Sequence, residues 1–136
     1  INKAKYPLKL LNKKALRHVN GAIFAAESAL ENGSSFFLGG GFHHAMTFGG
    51  RGFCHVNDII IASRYLQKRR GIANIAVIDI DVHKGDGTAE IVANDPTIKT
   101  LSIHMAEGWP LNENKMDEHA NKDDKDHKDH LLIIFL

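Results

Sequence analysis

Residues 79–87 read Asp-Ile-Asp-Val-His-Lys-Gly-Asp-Gly and follow directly on the apolar run Ile75-Ala76-Val77-Ile78. Three ionisable groups at alternating positions are an unusual finish for a buried strand. Side chains at i, i+2 and i+4 of a strand share one face, so Asp79, Asp81 and His83 converge if extended geometry persists that far. Two carboxylates and an imidazole brought together cost free energy unless a cation or hydrogen-bond donors satisfy them. A divalent metal does so directly, and a mixed oxygen and nitrogen set suits zinc or iron. The plainer alternative for Asp81 and His83 is a strand-end turn with solvated polar groups. A calcium loop of EF-hand type over Asp79–Glu90 fails, because Lys84 stands where that loop needs glycine and a strand precedes it.

A second cluster lies upstream, where Phe36-Phe37-Leu38 runs into Gly39-Gly40-Gly41-Phe42-His43-His44. Adjacent histidines on an extended chain point in opposite directions. Both reach one site only if the loop bends, and the glycines allow that bend.

Taken together, Gly40-Gly41-Phe42-His43-His44-Ala45, then Gly52-Phe53-Cys54 with Asn57-Asp58, then Asp79 to Thr88 resemble the signature blocks of the histone deacetylase superfamily. That superfamily includes acetoin-utilization-type deacetylases and acetylpolyamine hydrolases. The resemblance runs from about Val19 to Leu111, in the family's order; the set is specific although each block alone is weak. It implies hydrolysis of an N-acetyl amide of acetyl-lysine type to amine and acetate. It implies Asp81 and His83 as metal ligands, His43 and His44 as a general acid/base pair, and Asp79 and Asp86 as the carboxylates that orient them. Zinc is the implied metal, with iron as the alternative. A structural potassium ion is implied beside the carbonyls of Asp79 and Asp81, together with His83, the Ser102 hydroxyl and the Ile103 carbonyl; a plain strand hydroxyl is the alternative for Ser102. Gly52 and Phe53 match the family's substrate tunnel. Trp109 is a candidate for the opposite aromatic wall, with core packing as the equal alternative. Cys54 reads as a small hydrophobe beside the site.

The resemblance also leaves gaps. The third metal ligand, an aspartate from a later loop, has no counterpart, and neither does the later tyrosine that polarises the carbonyl. The two tyrosines, Tyr6 and Tyr65, fall elsewhere. The chain begins with Ile1 rather than Met, and a central fragment of a longer domain is the expectation. A catalytically dead remnant or binding module is the second reading, and an arginase-like dimetal hydrolase the third.

The elements that must position these residues follow from pattern. Ala15–Glu31 has apolar residues at Leu16, Val19, Ile23, Ala26 and Leu30, near the helical period, and Asn32-Gly33 stops it. Ser35–Leu38 reads as a short buried strand and residues 39–56 as a glycine-rich loop. Asn57 or Asp58 caps a helix that runs to about Arg70, with Gly71 ending it. Asn74–Asp81 is the clearest strand, Thr88–Ala93 a short helix and Thr100–His104 another strand. Strands alternating with helices, with near-continuous apolar strand cores, imply an α/β fold with a mostly parallel sheet and helices on both faces. Both polar clusters fall at strand carboxyl ends, where such sheets place their sites. The resemblance implies the same: a three-layer arginase–deacetylase fold, here truncated at its C-terminal side.

Composition bounds the rest. The 136 residues, 43% hydrophobic, suffice for one domain or part of one. A single cysteine excludes an internal disulfide framework and favours an intracellular compartment, cytoplasmic first, or nuclear in a eukaryote. No apolar run approaches the roughly 20 residues that span a bilayer, so no membrane partner is expected. The first 17 residues carry six Lys or Arg and no acid; a solvated face of the first helix is the simplest reading, and no nucleic-acid partner is inferred. The partner expected from the resemblance is an acetylated protein or a small acetylated amine. Residues 1–111 form the partial deacetylase-like domain. Residues 112–136 read as a low-complexity, disordered tail, with the mixed-charge tract Lys122–His130 at its centre and the apolar Leu131–Leu136 at its end.

Overall fold

The computed structural model describes residues 8–110 and the strand 131–135. Helix α1 spans Leu8–Asn32 and begins well before the predicted Ala15. Its first turns carry leucine and lysine, good helix formers without an apolar stripe, so periodicity alone did not mark them. Lys9, Lys13, Lys14 and Arg17 are exposed along it, a solvated basic face. Ala26 and Leu30 pack against the core, whereas Leu16, read as part of the apolar stripe, is exposed. Gly33 ends the helix in the left-handed conformation at φ 85°, its N–H bonded to the Ala29 carbonyl at 2.8 Å.

Helix α2 spans Asp58–Arg70, as the capping signals predict. Asn57 is its N-cap, accepting the Ile60 N–H at 3.1 Å. Gly71 closes it in the left-handed conformation, and Lys68, Arg69 and Arg70 fill its last turn, where cations complement the helix dipole. Strand β1 covers Asn74–Asp79, helix α3 Asp86–Val92 and strand β2 Ile98–Ser102. Strand β3 covers Leu131–Phe135.

The sheet order is β2-β1-β3, with both pairings parallel. Ile75 lies opposite Ile98 and Asp79 opposite Ser102. Ile75 and Val77 alternate into the core with Ile98, where they meet Ile59, Ile60 and Leu66 of α2 and Val92 of α3. Ala76 and Ile78 on the other face are half-buried. The result is an α/β arrangement around a small parallel sheet, the architecture expected of an arginase–deacetylase fold with only part of its sheet.

Two expectations change. Ser35–Leu38 is not a strand; it is irregular, with Phe36 and Leu38 exposed. Both edges of β1 are taken by β2 and β3, so among the described strands it has no place beside β1. The expected tail divides: the tract Lys122–His130 lies outside the described residues, while 131–135 is a strand. No helix among the described residues is long and apolar enough to cross a membrane.

Candidate active site

Asn57 and Asp58, at the start of α2, hold the glycine-rich loop in place. The Asp58 carboxylate is fully buried and accepts the N–H groups of Gly41 (3.1 Å) and Phe42 (2.8 Å). Gly40 passes so close, at φ 79°, that a Cβ there would lie 2.0 Å from Asp58 Oδ2. Its N–H donates to His18 Nδ1 at 3.0 Å, which gives His18 a structural task. Asn57 uses its Oδ1 for the cap and donates its amide to Thr88 Oγ1 at 3.0 Å. Thr88 in turn donates its N–H to the His43 carbonyl at 2.9 Å. The loop that carries the two histidines is thus held from α2 on one side and α3 on the other.

The histidines bend to a shared site, as the glycines allow. Their ring centroids are 4.0 Å apart. His43 Nδ1 lies 2.6 Å from Asp79 Oδ2 and His44 Nδ1 lies 2.6 Å from Asp86 Oδ1. A carboxylate only accepts, so in both rings Nδ1 carries the proton and Nε2 is the nitrogen left for chemistry. Both histidines and Asp79 are buried. Burial disfavours the charge on His43, but the Asp79 hydrogen bond and the negative charges of Asp79, Asp81 and Asp86 outweigh it and raise its pKa above the ordinary value.

Asp81 and His83 also come together, by a different route from the one expected. The strand ends at Asp79. Beyond it Asp79 Oδ1 accepts the Asp81 N–H (3.0 Å), and Asp81 Oδ1 accepts the His83 N–H (2.8 Å). These are successive side-chain-to-backbone turns of the kind aspartate favours. His83 Nδ1 then sits 3.2 Å from Asp81 Oδ1, and His43 Nε2 is 3.8 Å from the same oxygen. Burial pushes the Asp81 carboxyl up, yet the His83 N–H and side chain and the nearby His43 charge leave it below the ordinary carboxylate range. Among the described residues no three His, Cys, Asp or Glu side chains are arranged to hold a metal ion. A catalytic zinc typically takes three protein ligands, and Asp81 and His83 alone fall short of that number.

An open cavity of about 340 Å³ is lined by His43, His44, Asp81, His83, Gly52, Phe53 and Trp109, among others. Trp109 is 42% exposed and packs edge-on against His44 at 4.5 Å between centroids. It walls the site rather than the core. Gly52 and Phe53 are the central residues of a tight turn closed by the paired Arg51 and Cys54. Both have positive φ, 55° and 64°, as a type I′ turn requires. A left-handed phenylalanine costs about 1–3 kcal/mol, and the Phe53 ring is almost wholly exposed at the cavity mouth. Cys54 is buried, and burial pushes its thiol above the ordinary range; such a thiol is a poor nucleophile.

The residues named for a potassium site make the following contacts. Asp79 lies beside Ser102 in register, and the Ile103 N–H donates to the Asp79 carbonyl at 2.8 Å. Ser102 Oγ receives the Gly85 N–H at 3.3 Å and lies 2.9 Å from His104 Nδ1.

Comparison with known proteins settles the family. The sequence model of the histone deacetylase domain matches residues 2–131. The chain belongs to the histone deacetylase family. It is 42% identical over 105 residues to an uncharacterized protein of Picosynechococcus sp., covering 77% of this chain and 35% of that one. It is 33% identical over 110 residues to histone deacetylase 2 of Arabidopsis thaliana, covering 78% and 28% respectively. A "probable deacetylase" of Archaeoglobus fulgidus is 39% identical over 101 residues, 71% of this chain and 28% of that protein. The chain thus spans about a third or less of the length of these relatives.

Several contacts that shape this site escaped the sequence reading. Arg51 pairs with Asp86, Gly85 lies against Asp79, and Thr88 and His18 brace the loop. Gly85 and Thr88 lie within the Asp79–Thr88 block that carried the resemblance, but nothing local in it marked these contacts.

Proposed function

We propose that this chain carries the central part of a metal-dependent deacetylase that hydrolyses an N-acetyl amide of acetyl-lysine type to the amine and acetate. The observation that carries the reading is the pair of adjacent buried histidines, each bonded through Nδ1 to its own carboxylate at 2.6 Å, facing a cavity that also holds Asp81 and His83. Amide hydrolysis needs one group to take a proton from water and one to give a proton to the leaving nitrogen. Two imidazoles locked in the same tautomer, with Nε2 available, meet that need. Asp79 and Asp86 fix the two rings in place.

Asp81 and His83 are the proposed metal ligands, completed by a donor outside the described residues. Bound there, zinc (or iron) would polarise the carbonyl and acidify the attacking water. A potassium ion held by Asp79, Asp81, His83, Ser102 and Ile103 belongs to the same proposal. Gly52, Phe53 and Trp109 are proposed to bind substrate, since an aromatic slot suits the aliphatic stem of an acylated lysine or a small acetylated amine. The deacetylase names of relatives support this reading.

The test uses the whole protein to which these residues belong. Metal content is measured for wild type and Asp81→Ala, and turnover is measured on an acetyl-lysine peptide and an acetylated small amine. The proposal expects Asp81→Ala to lose both metal and turnover. Unchanged metal content in that variant, or no turnover of either substrate with zinc or iron restored, would sink it.

A further inference from the structure

Arg51 occupies a position that no step of the proposed hydrolysis uses. One guanidinium nitrogen lies 2.9 Å from Asp86 Oδ2. The guanidinium carbon sits 5.4 Å from the centroid of the Trp109 ring. Trp109 packs edge-on against His44 at 4.5 Å, and His44 Nδ1 is 2.6 Å from Asp86 Oδ1. The four side chains therefore close a ring: His44 to Asp86, Asp86 to Arg51, Arg51 to Trp109 and Trp109 back to His44.

Two further observations bear on the place of Arg51 in this ring. Asp86 Oδ2 is buried and receives no well-directed hydrogen bond among the described residues. A buried carboxylate oxygen needs compensation, and the Arg51 charge is what faces it. Next to Arg51, Gly52 brings the turn so close that a Cβ would stand 2.4 Å from the Trp109 ring and 2.8 Å from the His44 ring. The turn thus touches both partners at Gly52, and Arg51 reaches over the Trp109 ring.

We propose that Arg51 is a positioning residue that holds the Trp109 loop, residues 105–110, against the His44–Asp86 pair. Its planar fork serves two tasks at once: it pairs with a carboxylate and it covers an aromatic face. A lysine ammonium is a point charge and meets one of these partners at a time. Wall and acid/base group are then ordered together. This role in catalysis rests on the proposed deacetylase reading; the contact between Arg51 and Trp109 does not.

The test exploits composition, because Trp109 is the only tryptophan in the chain. Its fluorescence, excited at the red edge where tyrosine does not absorb, reports on this one residue. Arg51→Gln is expected to red-shift the emission and raise the acrylamide quenching constant, with far-ultraviolet circular dichroism unchanged. Arg51→Lys is expected to restore the fluorescence only in part. Wild-type emission and quenching in Arg51→Gln would overturn the proposal. Should Arg51→Gln fail to fold, Arg51→Lys decides alone: behaviour equal to wild type shows that the fork is not needed, and a shifted spectrum supports it. In the whole protein, Arg51→Gln is expected to raise KM about two- to five-fold, the factor equivalent to an exposed cation–π contact, and also to lower kcat. An altered spectrum with unaltered kinetics would keep the contact and reject its catalytic role. A wild-type protein inactive on acetylated amines would instead fault the deacetylase reading and leave the fluorescence result standing.

Discussion

Gly85 lies against Asp79 so closely that a Cβ there would stand 2.3 Å from Asp79 Oδ2, the oxygen that His43 holds, and 3.5 Å from His43 Nδ1. At φ −74° the backbone of Gly85 would accept alanine, so the conflict is one of space alone. Asp79 is pinned on three sides: its Oδ1 accepts the Asp81 N–H, its Oδ2 meets His43 and its carbonyl accepts the Ile103 N–H. Gly85→Ala should therefore cost about 1–3 kcal/mol of stability, as overpacking of a tight site does. A shifted His43 imidazole resonance should accompany the lower urea midpoint. A variant with wild-type stability and an unmoved resonance would show that the site has room to relax.

Asp58 and Asn57 divide the work of holding the histidine loop, and their variants should differ accordingly. Asp58→Ala strands the half-buried N–H groups of Gly41 and Phe42 and should cost about 3 kcal/mol, given that a bond to a charged group contributes about 1.5–3 kcal/mol. Asn57→Ala loses a helix cap, worth about 1 kcal/mol, as well as the bond to Thr88. Hydrogen exchange separates them. Asp58→Ala should deprotect the loop around residues 41–43, and Asn57→Ala should deprotect the first turn of α2. Equal exchange in the loop for both variants would contradict this division.

The pH dependence of the metal-free chain follows from two shifted groups. His43 is raised above its ordinary 6.5 in the fold, so the protonated ring favours the folded state. That contribution is fully present below the unfolded value and is lost as pH rises through the folded one. Asp81 is lowered below its ordinary 3.8, so its contribution is present above that value and is lost as pH falls through the folded one. Stability in the presence of a chelator should therefore peak in the mildly acidic window between the two and decline towards alkaline pH. His43→Gln should flatten the alkaline limb. A wild-type urea midpoint that climbs from neutral to alkaline pH would reverse the sign argued here.

Much of this arrangement was legible in the residues. Asn57 and Gly71 bracket α2 because capping is local chemistry, decided within a few residues. β1 was legible because Ile75-Ala76-Val77-Ile78 is a short apolar run rich in β-branched residues beside a polar terminus. The convergence of Asp81 and His83 was legible as an outcome but not in its cause. Alternation predicted an extended strand, whereas the strand stops at Asp79 and aspartate turns bring the pair together. The roles of Asp58 and Arg51 were not legible at all. Each depends on partners far along the chain, Gly41 and Phe42 for one and Asp86 and Trp109 for the other, and no spacing rule encodes such distances. Ser35–Leu38 misled because an apolar run says that a segment can pair, not that it reaches a sheet edge.

The last prediction concerns that question of edges. β1 is the middle strand, with Leu131 opposite Asn74 and Phe135 opposite Ile78. β2 pairs on one side only among the described strands. Removing residues 131–136 would uncover the second edge of β1, whose Ile75 and Val77 belong to the core. Exposed apolar edges template pairing between chains. The shortened chain should therefore show more light scattering and less soluble protein than the 136-residue form. Amides of Ile75 and Val77 should also exchange faster. Ile133→Pro, which disfavours strand pairing without shortening the chain, should move both measurements in the same direction by a smaller amount. Identical exchange at Ile75 and Val77 in all three proteins would show that β3 contributes nothing to holding the sheet, and would return residues 131–136 to the tail that their neighbours suggested.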